Sequence, residues 1–293
     1  MNIAEIRSYI KDIEENSSLF EEKNFDRRIE TIDFLEFHVI DQIEARVETR
    51  ELNLLKQRAE EVTVRLGQVD DILFEKLRAN IRAGICIVRA FKDLVNEYFD
   101  LDSKALSTPG YDNLDLFINR LICFDTMPGQ TKELETGMVF YQKTPARIIF
   151  ELVKKCHFTN GDVFFDLGSG LGQVAILLNL LTGVTARGIE FEPAFCRYAQ
   201  DCAAALNLPE VTFINTDACK ADFSAGTVFF LYTPFTGEML QDVLELLREE
   251  SKQRMIRIVT YGPCTEQVAQ QSWLHPDSPL DNNIYRLAFF NSI

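Results

Sequence analysis

The chain has 293 residues, 46% hydrophobic and 26% charged, which excludes a disordered, collagenous or low-complexity protein. Its 30 basic and 45 acidic residues give a formal net charge of −15, a surface that repels phosphate backbones, so nucleic acid is not an expected partner. The seven cysteines include no CxxC pair, the three histidines lie far apart, and no apolar run approaches the ~20 residues that span a bilayer. The expectation is a reduced, cytoplasmic protein with no metal site, no disulfide framework and no membrane segment.

In chain order, the first glycine is Gly67 and the first proline Pro109. A stretch so poor in both breakers predicts helix. Ile29, Ile32, Leu35, Val39, Ile43 and Val47 step by three or four and share one helical face. Leu77, Ile81, Ile85, Val88 and Val95 form a second such run. The charged residues between these runs read as solvated faces. Residues 1–135 are therefore expected to form a bundle of long antiparallel helices, serving as a substrate lid, a homodimer surface or a docking site. Ser107-Thr108-Pro109-Gly110 and Met127-Pro128-Gly129 mark turns towards its end.

After about residue 135 short apolar runs alternate with helical stretches. The strand-like runs are Val163–Leu167, Val184–Glu190, Val211–Asn215, Thr227–Tyr232, Met255–Tyr261 and Ile284–Phe290. Continuous apolar strands separated by helices predict an α/β domain over 136–293, a doubly wound and mostly parallel sheet covered on both faces. Ligands of such sheets sit at the carboxyl ends of the strands, near the point where the strand order reverses.

The first of these runs leads into Asp166-Leu167-Gly168-Ser169-Gly170-Leu171-Gly172-Gln173 and then an apolar helix. Glycines here let the backbone approach a ligand, and the helix start offers free N–H groups. A dinucleotide site asks for G-x-G-x-x-G, whose third glycine would stand at 173, where this chain has Gln. An acid two residues before the first glycine also repels a pyrophosphate and favours a cation. S-adenosylmethionine (SAM) has a sulfonium, an ammonium and no phosphate, so D-x-G-x-G-x-G suits SAM better than NAD. The second strand ends in Gly188-Ile189-Glu190, with Glu190 placed to accept from both ribose hydroxyls. The third ends in Asn215-Thr216-Asp217-Ala218, with Asp217 placed for the adenine amino group and the Ala218 amide beside it.

Over residues 137–262 the chain resembles the class I SAM-dependent methyltransferases. The run Phe164–Val174 followed by Gly188-Ile189-Glu190 is particularly similar to the class I (non-SET) histone-lysine methyltransferases and their bacterial relatives. The resemblance implies a Rossmann-like fold and SAM contacts from Asp166, Gly168, Ser169, Gly170, Gln173 and Glu190, with an adenine role for Asp217 and Ala218. It also covers Tyr141-Gln142-Lys143-Thr144-Pro145, where a Tyr before Thr-Pro touches the methionine part of SAM in amino-group methyltransferases. Thr144 with Pro145 also reads as a plain helix start, Thr as N-cap and Pro at the first helical position. At the fourth strand end those enzymes carry Asn/Asp-Pro-Pro-Tyr/Phe, whereas this chain has Tyr232-Thr233-Pro234-Phe235. Pro234 and Phe235 are kept, but Tyr232 replaces the polar residue that holds the amine, so methylation of nitrogen does not follow. Tyr232 and Phe235 remain the residues placed at the acceptor.

The expected activity is methyl transfer from SAM to an acceptor, either a small molecule or a protein side chain. The alternative is a SAM-binding scaffold or regulator without catalysis. A nicotinamide-dependent oxidoreductase is disfavoured by Gln173 and Asp166. The acidic balance and the absence of a Lys/Arg block give no ground for carrying over a histone or nucleic-acid substrate.

Overall fold

The computed structural model describes residues 1–85, 88–101, 110–122, 126–280 and 283–293. Its contacts separate two compact units, Met1–Ala79 with Asp93–Asp100, and Asn80–Lys92 with Leu101–Ile293. Residues 101–135, grouped by sequence with the helical half, thus count with the sheet. Cys86, Cys123 and most of the turn expected at 107–110 lie outside the described residues.

The first unit is helical, but it is one long helix against shorter pieces rather than a set of long ones. α1 (Ile3–Glu15) starts in a capping box, Asn2 and Glu5 each accepting the other's backbone N–H. The expected 29–47 helix is three segments: α2 (Phe25–Asp33), a π-helical turn (Phe34–Ile40) and α3 (Asp41–Glu44). Steps of four overshoot a 3.6-residue turn, and the wider i→i+5 turn keeps Leu35, Val39 and Ile43 on one buried face. Val47 lies beyond α3 and is exposed. α4 (Arg50–Arg82) contributes Leu55, Ala59, Val62 and Leu66 to the same core.

The second apolar run does not continue as one helix. α4 stops at Arg82, Gly84 takes a left-handed φ of 72°, and Ile85 and Val88 are exposed before α5 (Arg89–Asn96) resumes. Not every charge between the runs is solvated either. Arg28 is fully buried, its Nε 2.7 Å from Asp70 Oδ1, and its Nη1 donates to the Leu19 and Glu21 carbonyls at 3.0 and 2.6 Å.

The second unit holds a seven-stranded sheet in the order β3-β2-β1-β4-β5-β7-β6 among the described residues. β1 (Val163–Leu167), β2 (Thr185–Glu190), β3 (Val211–Asn215), β4 (Val228–Leu231) and β5 (Arg257–Thr260) are parallel. β7 (Ala288–Ser292) runs antiparallel between β5 and a short edge strand, β6 (Leu274–Pro276). The sixth apolar run therefore belongs to the seventh strand, and β6 gave no signal. The order reverses at β1, with β2 on one side and β4 on the other, which opens a crevice at their carboxyl ends.

α8 (Gln173–Thr182) is buried almost all round, because it lies between the sheet and the helices α6 (Asn113–Ile122) and α7 (Ala146–Cys156). α9 (Pro193–Ala205) follows β2. α10 (Gly237–Ser251) and α11 (Cys264–Ala269) share the core of Phe165, Leu231, Leu244, Ile258 and Trp273. No helix among the described residues is long and apolar enough to cross a membrane.

Candidate functional site

The chain leaves β1 through a loop whose Gly168, Gly170 and Gly172 all have positive φ. A Cβ on Gly168 would stand 2.4 Å from Pro234, and one on Gly170 would stand 2.1 Å from the Tyr141 ring. Only glycine lets the loop pass beneath those two motifs. The N–H groups of Gly168 and Ser169 donate to the Ile189 carbonyl at 2.9 and 3.0 Å, and Gly170 donates to Glu190 Oε2 at 2.6 Å. β2 and the loop are thereby locked together.

Around this loop lie buried polar atoms without partners among the described residues: Asp166 Oδ2, Ser169 Oγ and Gln173 Oε1. Each such atom costs about 1–3 kcal/mol, so three at one cleft mark a place built to meet a ligand. Burial pushes the Asp166 carboxyl up to about 8, and the Glu190 carboxylate adds to the rise. A cation bound beside Asp166 would reverse that shift. Burial also raises Glu190, against the opposing hydrogen bonds from the Glu192 and Gly170 N–H groups. Two carboxyls in one dry cleft suit a cationic ligand and oppose a pyrophosphate.

The segment before α7 crosses the cleft. Val139 N–H donates to the Pro234 carbonyl at 3.2 Å, Thr236 N–H donates to the Gly137 carbonyl at 2.8 Å, and Met138 bridges Phe235. The Tyr141 and Tyr232–Phe235 motifs, ninety residues apart, thus meet over the glycine loop. Thr144 is buried in the cleft wall, but it is not the N-cap. α7 begins at Ala146 with Pro145 as its cap residue, and the Ala146 N–H is taken by the Asp115 carboxylate of α6 at 2.7 Å.

Sequence reasoning also missed Glu192. Buried at the start of α9, it accepts from the Thr131 and Lys132 N–H groups at 2.9 and 2.7 Å, and from its own helix at Ala194. Desolvation alone would raise its pKa, yet the donors from Thr131, Ala194 and Lys132 outweigh it and hold the carboxyl down at about 2. The one local signal is an acid directly before Pro193 at a helix start.

At the end of β4, Thr233 has φ 43°, a left-handed value rare for a β-branched residue. Its Oγ1 accepts from Cys264 N–H at 3.2 Å and donates to the Tyr261 carbonyl at 3.3 Å. Such strain, of order 1–3 kcal/mol, gathers at binding and catalytic sites. Tyr232 packs on Tyr261 with ring centroids 4.8 Å apart. Burial raises the Tyr232 pKa, and Tyr111 and Tyr285 raise it further, so the phenol keeps its proton at neutral pH and has it to donate. Phe235 lines the cleft with one side while lying in the apolar core beneath β4.

The cleft lining brings together Tyr141, Thr144, Asp166, Gly168, Ser169 and Gln173, along with Glu190, Ala218, Tyr232 and Phe235. Gly170 and Asp217 are not in that lining. Gly170 is spent on the Tyr141 contact, and Asp217 caps Cys219 N–H at 2.9 Å and pairs with Lys220 at 3.1 Å. Its neighbours Thr216 and Ala218 line the cleft instead. No cluster of three or more metal-type ligands occurs among the described residues.

Residues 135–249 match the family described as "Histone methylation protein DOT1". This stretch is a class I SAM-dependent methyltransferase domain. The match spans less than half of the chain and takes in the glycine loop, Glu190 and the Tyr232 motif. No curated protein matches the chain. Similar solved structures include an RNA methyltransferase from Salinibacter ruber in complex with S-adenosyl-L-homocysteine (24% identity, 52% of this chain and 92% of that one, TM-score 0.42). They also include a ribosomal protein L11 methylase from Lactobacillus delbrueckii subsp. bulgaricus (14%, 50% and 75%, 0.37), and a SAM-dependent methyltransferase from Aquifex aeolicus (16%, 49% and 88%, 0.40). At such TM-scores these likenesses carry no argument about the substrate of the methyltransferase domain.

Proposed function

We propose that the protein transfers the SAM methyl group to an acceptor seated against Tyr232, Thr233 and Pro234, the acceptor being a small molecule or a protein side chain. The observation that carries this reading is the set of orphaned buried atoms on Asp166, Ser169 and Gln173 around the glycine loop of a methyltransferase domain. When bound, SAM supplies an electrophilic methyl on a positively charged sulfur. Asp166 and Gln173 would hold its amino-acid end, Glu190 its ribose hydroxyls, and the backbone at Thr216 and Ala218 its adenine. Tyr232 would donate a hydrogen bond to the acceptor and orient its lone pair at the methyl carbon. Positioning and exclusion of water then do most of the work.

The cleft encloses about 90 Å³, whereas pockets for ligands of this size run to about 300–1,000 Å³. Cofactor binding therefore requires the cleft to widen. Calorimetric titration with SAM, S-adenosylhomocysteine and NAD tests the cofactor: micromolar binding of the first two and none of NAD is expected. Slow conversion of SAM to S-adenosylhomocysteine in the presence of cell extract would establish an enzyme. Binding of both adenosyl ligands without turnover in any extract would mean a scaffold.

A further inference from the structure

β4 ends at Leu231, and Tyr232, Thr233 and Pro234 then turn along the cleft wall. Thr233 has a left-handed backbone, φ 43°. His157 and Asn207 also have positive φ, but they follow the ends of α7 and α9, where that conformation is ordinary. Thr233 follows a strand, and its β-branched side chain resists the left-handed region. Glycine would take the same backbone without strain. What threonine adds is its hydroxyl.

Thr233 Oγ1 accepts from the Cys264 N–H at 3.2 Å and donates to the Tyr261 carbonyl at 3.3 Å. The Tyr261 N–H donates to the Leu231 carbonyl at 2.9 Å. Tyr261 thus grips the chain on both sides of Tyr232, at Leu231 through its N–H and at Thr233 through its carbonyl. Its ring, 1% exposed, packs on the Tyr232 ring as well. Gly262 makes room for this closeness. It has φ 93°, and a Cβ there would stand 2.6 Å from Thr233 Oγ1 and 3.4 Å from the Tyr232 ring. From the other side Pro234 rests on Gly168 of the glycine loop and accepts from the Val139 N–H.

The amino-group pattern Asn/Asp-Pro-Pro-Tyr/Phe cannot make this tie, because a proline at position 233 fixes φ near −65° and brings no hydroxyl. This chain departs at both places together, with Tyr232 for Asn or Asp and Thr233 for Pro. A phenol stands farther from its backbone than a carboxamide does, so a small swing of the turn displaces its hydroxyl more. A fixed turn therefore matters more to Tyr232 than to the residue it replaces.

We propose that Thr233 is a positioning residue for methyl transfer: its hydroxyl ties the ends of β4 and β5 together and so sets the Tyr232 phenol at the acceptor. The role in transfer rests on the methyltransferase reading; the setting of Tyr232 does not.

The test compares Thr233→Val and Thr233→Gly, which lack the hydroxyl, with Thr233→Ser, which keeps it. Isotope labelling of the ring ε carbons of the eight tyrosines makes their positions visible by NMR, and Tyr232→Phe assigns the signal of residue 232. That signal is expected to broaden or double in the valine and glycine proteins and to keep its wild-type position in the serine protein. Methyl transfer from SAM into cell extract should fall about tenfold or more in the first two and recover most of that loss in the third, with SAM still bound by all three. Thr233→Gly takes φ 43° without strain, so it decides the matter if the valine protein does not fold. A wild-type Tyr232 signal in Thr233→Gly, or the same disturbance in Thr233→Ser, would overturn the tie. Wild-type transfer despite a disturbed Tyr232 signal would overturn the positioning role. A native protein that binds no SAM, or transfers no methyl, would remove the role in transfer and leave the tie to be judged by the NMR signals alone.

Discussion

Asp166 is 3% exposed, and its raised pKa has a consequence that runs in one direction. The folded protein keeps a proton on this carboxyl up to about pH 8, whereas the unfolded chain releases it near pH 3.9. The folded state thus binds more protons across that window, and stability falls as pH rises through it. Asp166→Asn removes this term, so melting temperature at pH 7–8 should rise, by an amount matching about 1 kcal/mol or more, and its decline between pH 5 and 8 should flatten. Glu190, also raised, leaves a residual slope. The same variant should weaken SAM binding by about 1–3 kcal/mol, because a charged partner of the cation is gone. In the native protein SAM binding should release a proton below pH 8, seen as a buffer-dependent heat in calorimetry. A melting curve for Asp166→Asn with the wild-type pH slope would remove the assignment. Tyr232→Phe should spare SAM affinity, because the phenol lies at the acceptor end, and should reduce turnover.

Among the elements, the segment at 130–142 depends on Glu192 more than on its own sequence. Glu192→Gln keeps the shape but replaces one acceptor oxygen by a donor facing the Thr131 and Lys132 N–H groups. Protease cleavage within 126–142 is expected to accelerate, and SAM affinity to fall, with the sheet intact by far-ultraviolet circular dichroism. The depressed pKa of Glu192 places its stabilising effect above about pH 4.3, lost as pH falls towards about 2. Unchanged proteolysis in Glu192→Gln would show that this anchor is not what holds the segment. The strands and the glycine loop were legible because their signals are local: apolar runs for β1 to β5, and three glycines behind an acid. Other features have no local signal. Asp115 caps α7 from another helix, and β6 is three residues containing Pro276. Gly84, by contrast, was a visible breaker inside an apolar run whose periodicity outweighed it.

Across the whole molecule, the cleft belongs to the second unit, and the first unit carries its own apolar core and, separately, a buried ion pair at Arg28. Arg28 falls in Asp26-Arg27-Arg28, a stretch whose composition reads as solvated surface, so nothing in the sequence set it apart. The structure buries it with Asp70, both side chains fully inaccessible, and spends its remaining donors on the carbonyls of Leu19, Glu21 and Glu22. Arg28→Met would take the cation from beside the buried Asp70 carboxylate and remove the donor from one buried and two partly buried carbonyls, at a cost of about 3–5 kcal/mol. Asp70→Leu would strand the guanidinium charge but leave its carbonyl acceptors, so it should cost less. The double variant removes both charges and should be more stable than Arg28→Met alone, although the three carbonyls still lack their donor. Urea denaturation of the four proteins measures this cycle. SAM affinity should stay at the wild-type value in every variant that folds, because no residue named in the cleft belongs to the first unit. A double variant no more stable than Arg28→Met would mean that the orphaned carbonyls, not the buried charge, dominate the cost. A loss of SAM affinity in the folded Asp70→Leu protein would mean that the cofactor cleft depends on the first unit.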